Sequence, residues 1–599
     1  MKNLYALVLS LLIVFGYVAA NAQETVNGGF ELSDNKGMPR NWIADDAGGK
    51  FAIGISNQVF RSGKQSLQLD GSKRGSDTEK AGLGANRFGA MSSTKLKTIQ
   101  LTGWIKTEEV PDSTVSLFIQ LVNGAKIVYS YGQGPVNKGW QKLSLSYTPP
   151  AGEDWVGFYY GIETKSGGTV WLDDLSLIVD GVEVQDPKSL YEEPDEKSLK
   201  WLASNLSECK SFDRSASFKD LVPVGNAIKA SRIVALGEPT HGTSEAGKFK
   251  IRLIDYLIKE KGFTTIVLEE AISTCDQMNR LLNLPSAALK DSLLRMPFYK
   301  LWKTEQMLEL FTWIQDYNLK HKVKIRFIGI DSEDFNLKNS GKMLRDYGRS
   351  HSEEILAQTI NLDKSLEAAL KLSRKPMDDP KRVDAGNKLK QQLDSLDLVI
   401  LTARKKIANE EQLFQLKSYA RVCRQWVETK LFYGNRDEYM ADNLIVYLAS
   451  HPKEKVLLWA HNAHIASVGV GGLKSMGTFL KEKFAADYFP ISITSAGGTY
   501  MAAENYEQKK WMSYAIEPAY KGTYEYILAQ GKPANYFLNL ANVKPQSAGF
   551  SWLDTPMRQF DMGYVFENED HYKYQGTLKQ SFDGLVFLRQ TSASTSLLK

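Results

Sequence analysis

Apolar and polar positions follow two different textures along this chain. From Gln23 to about Val184, short runs such as Val115-Ser-Leu-Phe-Ile-Gln-Leu-Val122 and Trp140-Gln-Lys-Leu-Ser-Leu-Ser-Tyr147 lie between Gly, Asn, Asp and Pro clusters. Many short strands parted by turn residues predict an all-β sandwich, or jelly roll, over 23–184. Residues 185–197 carry two Pro and several charges and read as a linker. From Ser198 onward strand-like runs alternate with longer helical ones, which predicts an α/β domain over 198–599 with a central, mostly parallel sheet. Ser244 is placed to cap a helix through Lys261, with Phe249, Leu253, Leu257 and Ile258 on its buried stripe. Residues from about 338 to 432 are rich in Leu, Lys, Glu and Gln at helical spacing and predict a long helical insertion between the third and fourth core strands. Asp437 to Ala449 predicts a further helix that buries Met440, Leu444, Tyr447 and Leu448.

Four apolar runs in the second half each end on a group that carries or moves a proton. They are Ile233-Val-Ala-Leu-Gly-Glu238, Thr264-Thr-Ile-Val-Leu-Glu269, Ile325-Arg-Phe-Ile-Gly-Ile-Asp331 and Val456-Leu-Leu-Trp-Ala-His461. Continuous apolar runs are what parallel strands buried on both faces look like. In such sheets ligands sit beyond the carboxyl ends of the strands. Two Glu, an Asp and a His at four such ends therefore predict one polar, proton-handling pocket.

The length of 599 residues calls for two or more cores. The net charge of +5 arises from 74 basic and 69 acidic residues spread along the chain, so nucleic-acid binding has no electrostatic footing. Met1-Lys2-Asn3 leads into an apolar stretch from Leu4 to Ala20 and then Ala20-Asn21-Ala22, an A-x-A cleavage pattern. Residues 1–22 thus read as a secretory signal peptide, which predicts a periplasmic or extracellular protein with no membrane span after cleavage. An uncleaved anchor is the alternative, since about 17 apolar residues just suffice to span a bilayer. Cys209, Cys275 and Cys423 allow one bridge at most and read as buried, inert thiols.

The densest chemistry lies in Leu236-Gly-Glu238-Pro-Thr-His241-Gly-Thr-Ser-Glu245. Gly237 and Gly242 permit a tight turn, and the helix N-terminus that follows His241 favours a neutral, proton-accepting ring. His461-Asn-Ala-His464 places two His three residues apart at a strand end, a spacing that suits either metal ligation or a hydrogen-bonding pair. In Asn435-Arg436-Asp437 the Arg could clamp a carboxylate or an oxyanion, or pair with Asp437 on the surface. Phe298-Tyr-Lys-Leu-Trp302-Lys-Thr-Glu305 adds aromatics and an acid, on its own an amphipathic helix face. His321, His351, His451 and His571 are isolated and read as surface groups. No Gly-x-Ser-x-Gly elbow, P-loop or dinucleotide fingerprint is present, which leaves water activated by a general base.

The N-terminal region, with Asn27-Gly-Gly-Phe-Glu31, Gly103-Trp104-Ile-Lys-Thr107 and Val170-Trp-Leu-Asp173-Asp174-Leu-Ser-Leu177, resembles galactose-binding-like jelly rolls that include carbohydrate-binding modules. That resemblance implies a structural Ca²⁺ held by Glu31, Asp173 and Asp174, and a glycan partner. Trp104 and Trp171 are expected in the sandwich core.

The α/β region resembles the erythromycin esterase family. The matching pieces are Gly237-Glu238-x-Thr240-His241-Gly242-Thr243, Glu245, Lys250, Leu268-Glu269, Trp302-x-Thr304-Glu305 and Gly329-Ile-Asp331. Arg436-Asp437-x-x-Met440-Ala441-x-Asn443, Trp459-Ala-His461-Asn-Ala-His464, Met476-Gly477 and Gly497-Gly498 continue them in order. The resemblance implies hydrolysis of a macrolide lactone, an antibiotic ester, without a covalent intermediate and with no cofactor required. By it, His241 is the base, Glu238 and Glu269 position base and water, and His461 completes the catalytic set. His464, Arg436, Lys250, Glu245, Asp331, Trp302 and Glu305 fall at substrate-contacting positions. The resemblance has His461, His464 and Arg436 hold substrate or stabilise the oxyanion. Lys250 stands where some members carry Arg, which implies contact with substrate or a carboxylate, and Pro239 where a small residue is usual. Two rivals are a metal-dependent hydrolase with Glu238, His241, His461 and His464 as ligands, and a glycan-binding protein whose α/β domain is inactive.

Overall fold

The computed structural model describes residues 26–598, except 34–36, 41, 74–79, 92–95, 111–113, 124–125, 134–138, 151–154, 166, 187–192, 286–287, 333–336, 377–378, 404–409, 433, 470–473, 506–509, 544–550, 567–570 and 575–576. The expected signal peptide lies outside the described residues. Among them, no helix is long and apolar enough to cross a membrane.

The N-terminal region forms two antiparallel sheets, one of five strands and one of six. Strand Ile99–Glu108 alternates buried and accessible positions, the period of two that a half-buried strand requires. Leu101, Ile105, Leu117, Ile119, Phe158 and Leu172 fill the space between the sheets. Trp104 and Trp171 do not join them. Ile105 pairs with the inward Leu172, so their neighbours Trp104 and Trp171 point outward by the same alternation. There the Arg61 guanidinium lies 3.9 Å from the Trp104 ring and Lys106 Nζ 5.7 Å from that of Trp171. The three acids expected to hold calcium are engaged otherwise. Glu31 accepts the N–H groups of Lys64 and Gln65, Asp173 those of Arg61, Ser62 and Asp174, and Asp174 pairs with Arg61.

The second region is built on an eight-stranded sheet: β1 (Leu206–Glu208), β2 (Ile233–Leu236), β3 (Thr265–Ala271), β4 (Arg326–Asp331), β5 (Val456–Trp459), β6 (Tyr488–Ser495), β7 (Asn535–Asn539) and β8 (Gly584–Leu588). Their order is β1-β7-β8-β6-β2-β5-β3-β4, with β7 antiparallel to both neighbours and the six strands from β8 to β4 parallel. Helices α1 (Ser244–Lys261) and α2 (Glu305–Lys320) follow β2 and precede β4. Four helices, α3 (Leu337–His351), α4 (Glu353–Leu372), α5 (Pro380–Ala403) and α6 (Glu410–Leu431), lie between β4 and β5 around a core of their own that includes Leu344, Leu366, Leu393 and Trp426. Helix α7 (Arg436–Ser450) and the short α8 (Asn462–Ile465) flank β5.

Both faces of the central strands are covered, which explains their uninterrupted apolar sequence. Val234 and Leu236 pack with Phe249 and Leu253 of α1. The alternate residues Ile233 and Ala235 pack with Met440 and Leu444 of α7. The strands also end level: Leu236, Trp459, Leu268 and Gly329 occupy one row across β2, β5, β3 and β4. That row brings Glu238, His461, Glu269 and Asp331 to a common edge. Cys209, Cys275 and Cys423 are buried and unbridged.

Candidate active site

Beyond β2 the chain turns at Gly237, where an added Cβ would sit 2.0 Å from Asn462 Oδ1. This close approach lets the β2 and β5 ends meet, and Asn462 N donates to Glu238 O at 2.9 Å. Glu238 is the hub of the first half of the site. Its Oε1 accepts from His241 Nδ1 at 2.6 Å, and its Oε2 accepts from Trp459 Nε1 at 2.9 Å and from Lys250 Nζ. Burial alone would raise the Glu238 carboxyl, but Lys250 and His241 outweigh it and hold it down at about 2. A carboxylate only accepts, so Nδ1 of His241 carries the proton and Nε2 presents a lone pair. Among the described residues His241 Nε2 has no hydrogen-bond partner.

Lys250, expected to meet substrate or a carboxylate, meets the Glu238 carboxylate from behind and is wholly buried. Burial brings its ammonium down to about 8 against the attraction of Glu238. Its Nζ lies 3.9 Å from the Trp459 ring centroid, and Trp302 packs edge-on to that ring at 5.7 Å. Trp302 is thus a buried support reached through a 3₁₀ turn, Lys300–Trp302, rather than a contact on an amphipathic helix.

The second half of the site forms around Arg436 at the start of α7. Its Nε and Nη2 donate to the two oxygens of Asp331 at 2.9 and 2.6 Å, a planar fork that Lys could not reproduce. Nη2 also donates to Glu269 Oε1 at 2.9 Å. Glu269 occupies a β-bulge, where the β3–β4 register shifts between Leu268 and Ala271. Bulges re-aim side chains beside sites of this kind. The adjacent Glu270 turns away to accept from Ala271 N and Tyr299 N. His464 Nδ1 lies 2.8 Å from Asp437 Oδ1, and its Nε2 lies 3.4 Å from Glu269 Oε1. Burial would depress His464, but Asp437 and Glu269 lift it to about 10, so it is an imidazolium at neutral pH. Burial pushes Glu269 up, yet His464 and Arg436 hold it well below the usual carboxylate range.

His461 joins the halves. Its ring centroid is 5.3 Å from that of His241 and 6.4 Å from that of His464. Its backbone N–H donates to Glu269 Oε2 at 3.2 Å. Nε2 lies 2.9 Å from Asp561 Oδ1 and 3.1 Å from Pro239 O, while Nδ1 accepts from Ala463 N at 3.4 Å. Both ring nitrogens are therefore spent on the protein, and His461 braces the turn that carries His241.

Glu245 and Glu305 do not reach this cluster. The Glu245 carboxylate accepts from Ser592, and Glu305 lines a surface groove with Arg214, Leu308, Trp313 and Leu597. No sequence signal marks Asp561, and the sequence offers Asp437 as a surface partner of Arg436 and as part of the family motif, without a role at His464. Asp561 follows a three-residue strand, Arg558–Phe560, about which the sequence carries no periodic signal. His571, expected at the surface, is buried against Tyr500 and Phe560.

Of the four residues considered as metal ligands, Glu238 is spent on His241, Lys250 and Trp459, His461 on Asp561, Pro239 O and Ala463 N, and His464 is an imidazolium, which leaves His241 Nε2 as the one uncommitted imidazole nitrogen. Among the described residues no set of three His, Cys, Asp or Glu is arranged to hold a metal ion. The site does not fit the metal-dependent alternative.

Comparison with known proteins places the second region among known relatives. YbfO of Bacillus subtilis (strain 168) is 25% identical over 427 residues, which is 63% of this chain and 88% of that protein. The erythromycin esterase type II of Escherichia coli is 24% identical over 420 residues, 63% of this chain and 94% of that protein. A solved structure of an erythromycin esterase EreC mutant in its open conformation shares the fold, with a TM-score of 0.51 and 18% identity over 65% of this chain and 98% of that one. The erythromycin esterase profile matches residues 258–591. The chain is a hydrolase that belongs to the erythromycin esterase family.

Proposed function

We propose that this protein hydrolyses a carboxylic ester with water activated by His241, and that macrolide lactones are the leading substrate class. The observation that carries the reading is the His241 ring, with Nδ1 fixed on an ionised Glu238 and Nε2 unengaged. Nε2 accepts a proton from water as the oxygen attacks the ester carbonyl. Glu238 steadies the imidazolium so formed, the division of labour of a carboxylate–imidazole pair. The cationic His464, whose ring lies 6.4 Å from that of His461, and the adjoining Arg436 favour the oxyanion of the tetrahedral intermediate. As the C–O bond breaks, His241 returns its proton to the leaving alkoxide. An acid and an alcohol result; in a macrolide they remain one ring-opened molecule.

The signal-like segment at 1–22 supports action in the periplasm or outside the cell. For the N-terminal region, the exposed rings of Tyr129 and Tyr131, parallel within 1° and 6.0 Å apart, support a glycan-binding role, since flat aromatic faces receive sugar rings. The decisive test is mass spectrometry of purified full chain incubated with erythromycin and with a panel of sugar and aryl esters. A gain of one water in the macrolide is expected. An unchanged macrolide together with cleavage of a panel ester would replace the substrate while keeping the chemistry.

A further inference from the structure

The turn that carries His241 is finished by a distant part of the chain. Helix α1 begins directly after it, yet its N-cap Thr243 makes no side-chain capping bond. Among the described residues the buried Thr243 hydroxyl has no hydrogen-bond partner. Ser244, placed by its sequence to cap the helix, instead receives Gln306 Nε2 on its hydroxyl at 3.1 Å. A helix start without a cap leaves its first N–H groups unsatisfied. Residues 591–597 supply what is missing.

Ser244 N donates to Ser592 O at 2.8 Å, and Thr243 and Ala593 form an antiparallel bridge. The carbonyl of Gly242, the residue after His241, accepts from Ser594 N at 2.8 Å and from Met501 N at 2.9 Å. Any Cβ at Gly242 would stand 1.8 Å from Met501 O, so the peptide is gripped from both sides. The same segment continues to Glu305 N, which donates to Thr595 O, and to Lys303 O, which accepts from Leu597 N. One side chain locks it down. The Glu245 carboxylate accepts from Ser592 N at 2.6 Å and from Ser592 Oγ at 2.8 Å. Two bonds to one carboxylate are charge-assisted and fix both position and direction.

We infer that Glu245 is a positioning residue that acts through Ser592: it clamps residues 591–595 as a strap, and the strap sets the backbone from which His241 projects. This assigns Glu245 a role away from substrate, and it rests on the reading of His241 as the base. Placement matters at this level, because a shift of about 1 Å in a catalytic group costs about 10²-fold in rate.

The test uses the full chain and needs no substrate, so it is independent of whether macrolides are cleaved. Hydrogen exchange read by mass spectrometry is compared for wild type, Glu245→Ala, Glu245→Gln and Ser592→Ala. Carbethoxylation of His241 by diethyl pyrocarbonate is followed across pH in the same proteins. Loss of a bond to a charged group should speed exchange over residues 240–246 in Glu245→Ala by about tenfold or more. The pH midpoint of His241 labelling should move with it. Glu245→Gln, which can still accept from Ser592 N, should restore most of both. Unchanged exchange and labelling in Glu245→Ala would overturn the strap while leaving the His241 reading intact. Exchange accelerated evenly across the whole sheet would also overturn it, because the strap would then hold the fold rather than the turn. Failure of His241→Asn to lose ester hydrolysis would instead remove the base assignment on which the role rests.

Discussion

Lys250 and Trp459 serve the same oxygen of Glu238: Nζ of one and Nε1 of the other both donate to Oε2, and the ammonium lies 3.9 Å from the indole ring. A buried cation thus touches a buried acid and an aromatic face at once. Removing one partner of such a pair leaves an uncompensated charge and costs about 3–5 kcal/mol. Lys250→Met should therefore lower the unfolding free energy by that amount in urea titrations. Pairing it with Glu238→Gln should recover part of the loss, since neither charge is then stranded.

His241 is expected to be indispensable for turnover but dispensable for folding. A positioned general base contributes about 10²–10⁴ in rate. His241→Asn should lose ester hydrolysis by at least that factor while its circular dichroism and melting curve match wild type. Near-normal turnover in this variant would exclude the ring as the base.

Stability should fall on both sides of neutral pH. Glu238 lies at about 2 rather than 4.5 in the folded chain, so its contribution is present above the ordinary carboxylate value and is lost as pH drops from 4.5 toward 2. His464 lies at about 10 rather than 6.5, so its contribution is present below 6.5 and is lost as pH climbs toward 10. Asp437→Asn removes the strongest attraction on His464. Its alkaline loss should be smaller and end at lower pH in denaturant melts stepped between neutral and pH 10.

Gly237 admits no side chain. In Gly237→Ala the new methyl would meet Asn462 Oδ1 at 2.0 Å and Ile491 O at 3.0 Å. The Asn462 side chain also bonds Ile493 through both its amide atoms. The variant should melt lower and lose activity together, as the meeting of β2, β5 and β6 is prised apart.

Tyr129 and Tyr131 carry the glycan reading of the N-terminal region. Replacing both by Ala should abolish retardation of the protein in polysaccharide-containing native gels and leave ester hydrolysis unchanged. Equal mobility of wild type in gels with and without polysaccharide would remove that role.

The strand ends were legible because parallel strands with two buried faces leave continuous apolar runs, and each run stops on its polar residue. Glu238, His241, Glu269, Asp331, Arg436, His461 and His464 do converge. Their individual duties were far less legible. Lys250 sits on a helix of mixed polarity, where a cation ordinarily reads as solvent-facing, and only the fold shows it fully buried. His461 fell in the catalytic set through the family resemblance, and its partner Asp561 lies a hundred residues on in an irregular stretch. Glu245 fell among the site residues through the family resemblance, whereas its partner Ser592 lies 347 residues on. Local pattern reveals what is apolar and where a strand stops; which polar atom meets which is decided by long-range closure.

The bundle of α3 to α6 ends five residues before Arg436. Gln425 of α6 exchanges amide bonds with Asn443 of α7, and Asn443 donates to Ile330 O beside Asp331. The excursion is thereby tied through one amide pair to the helix that carries Arg436 and to the strand that carries Asp331.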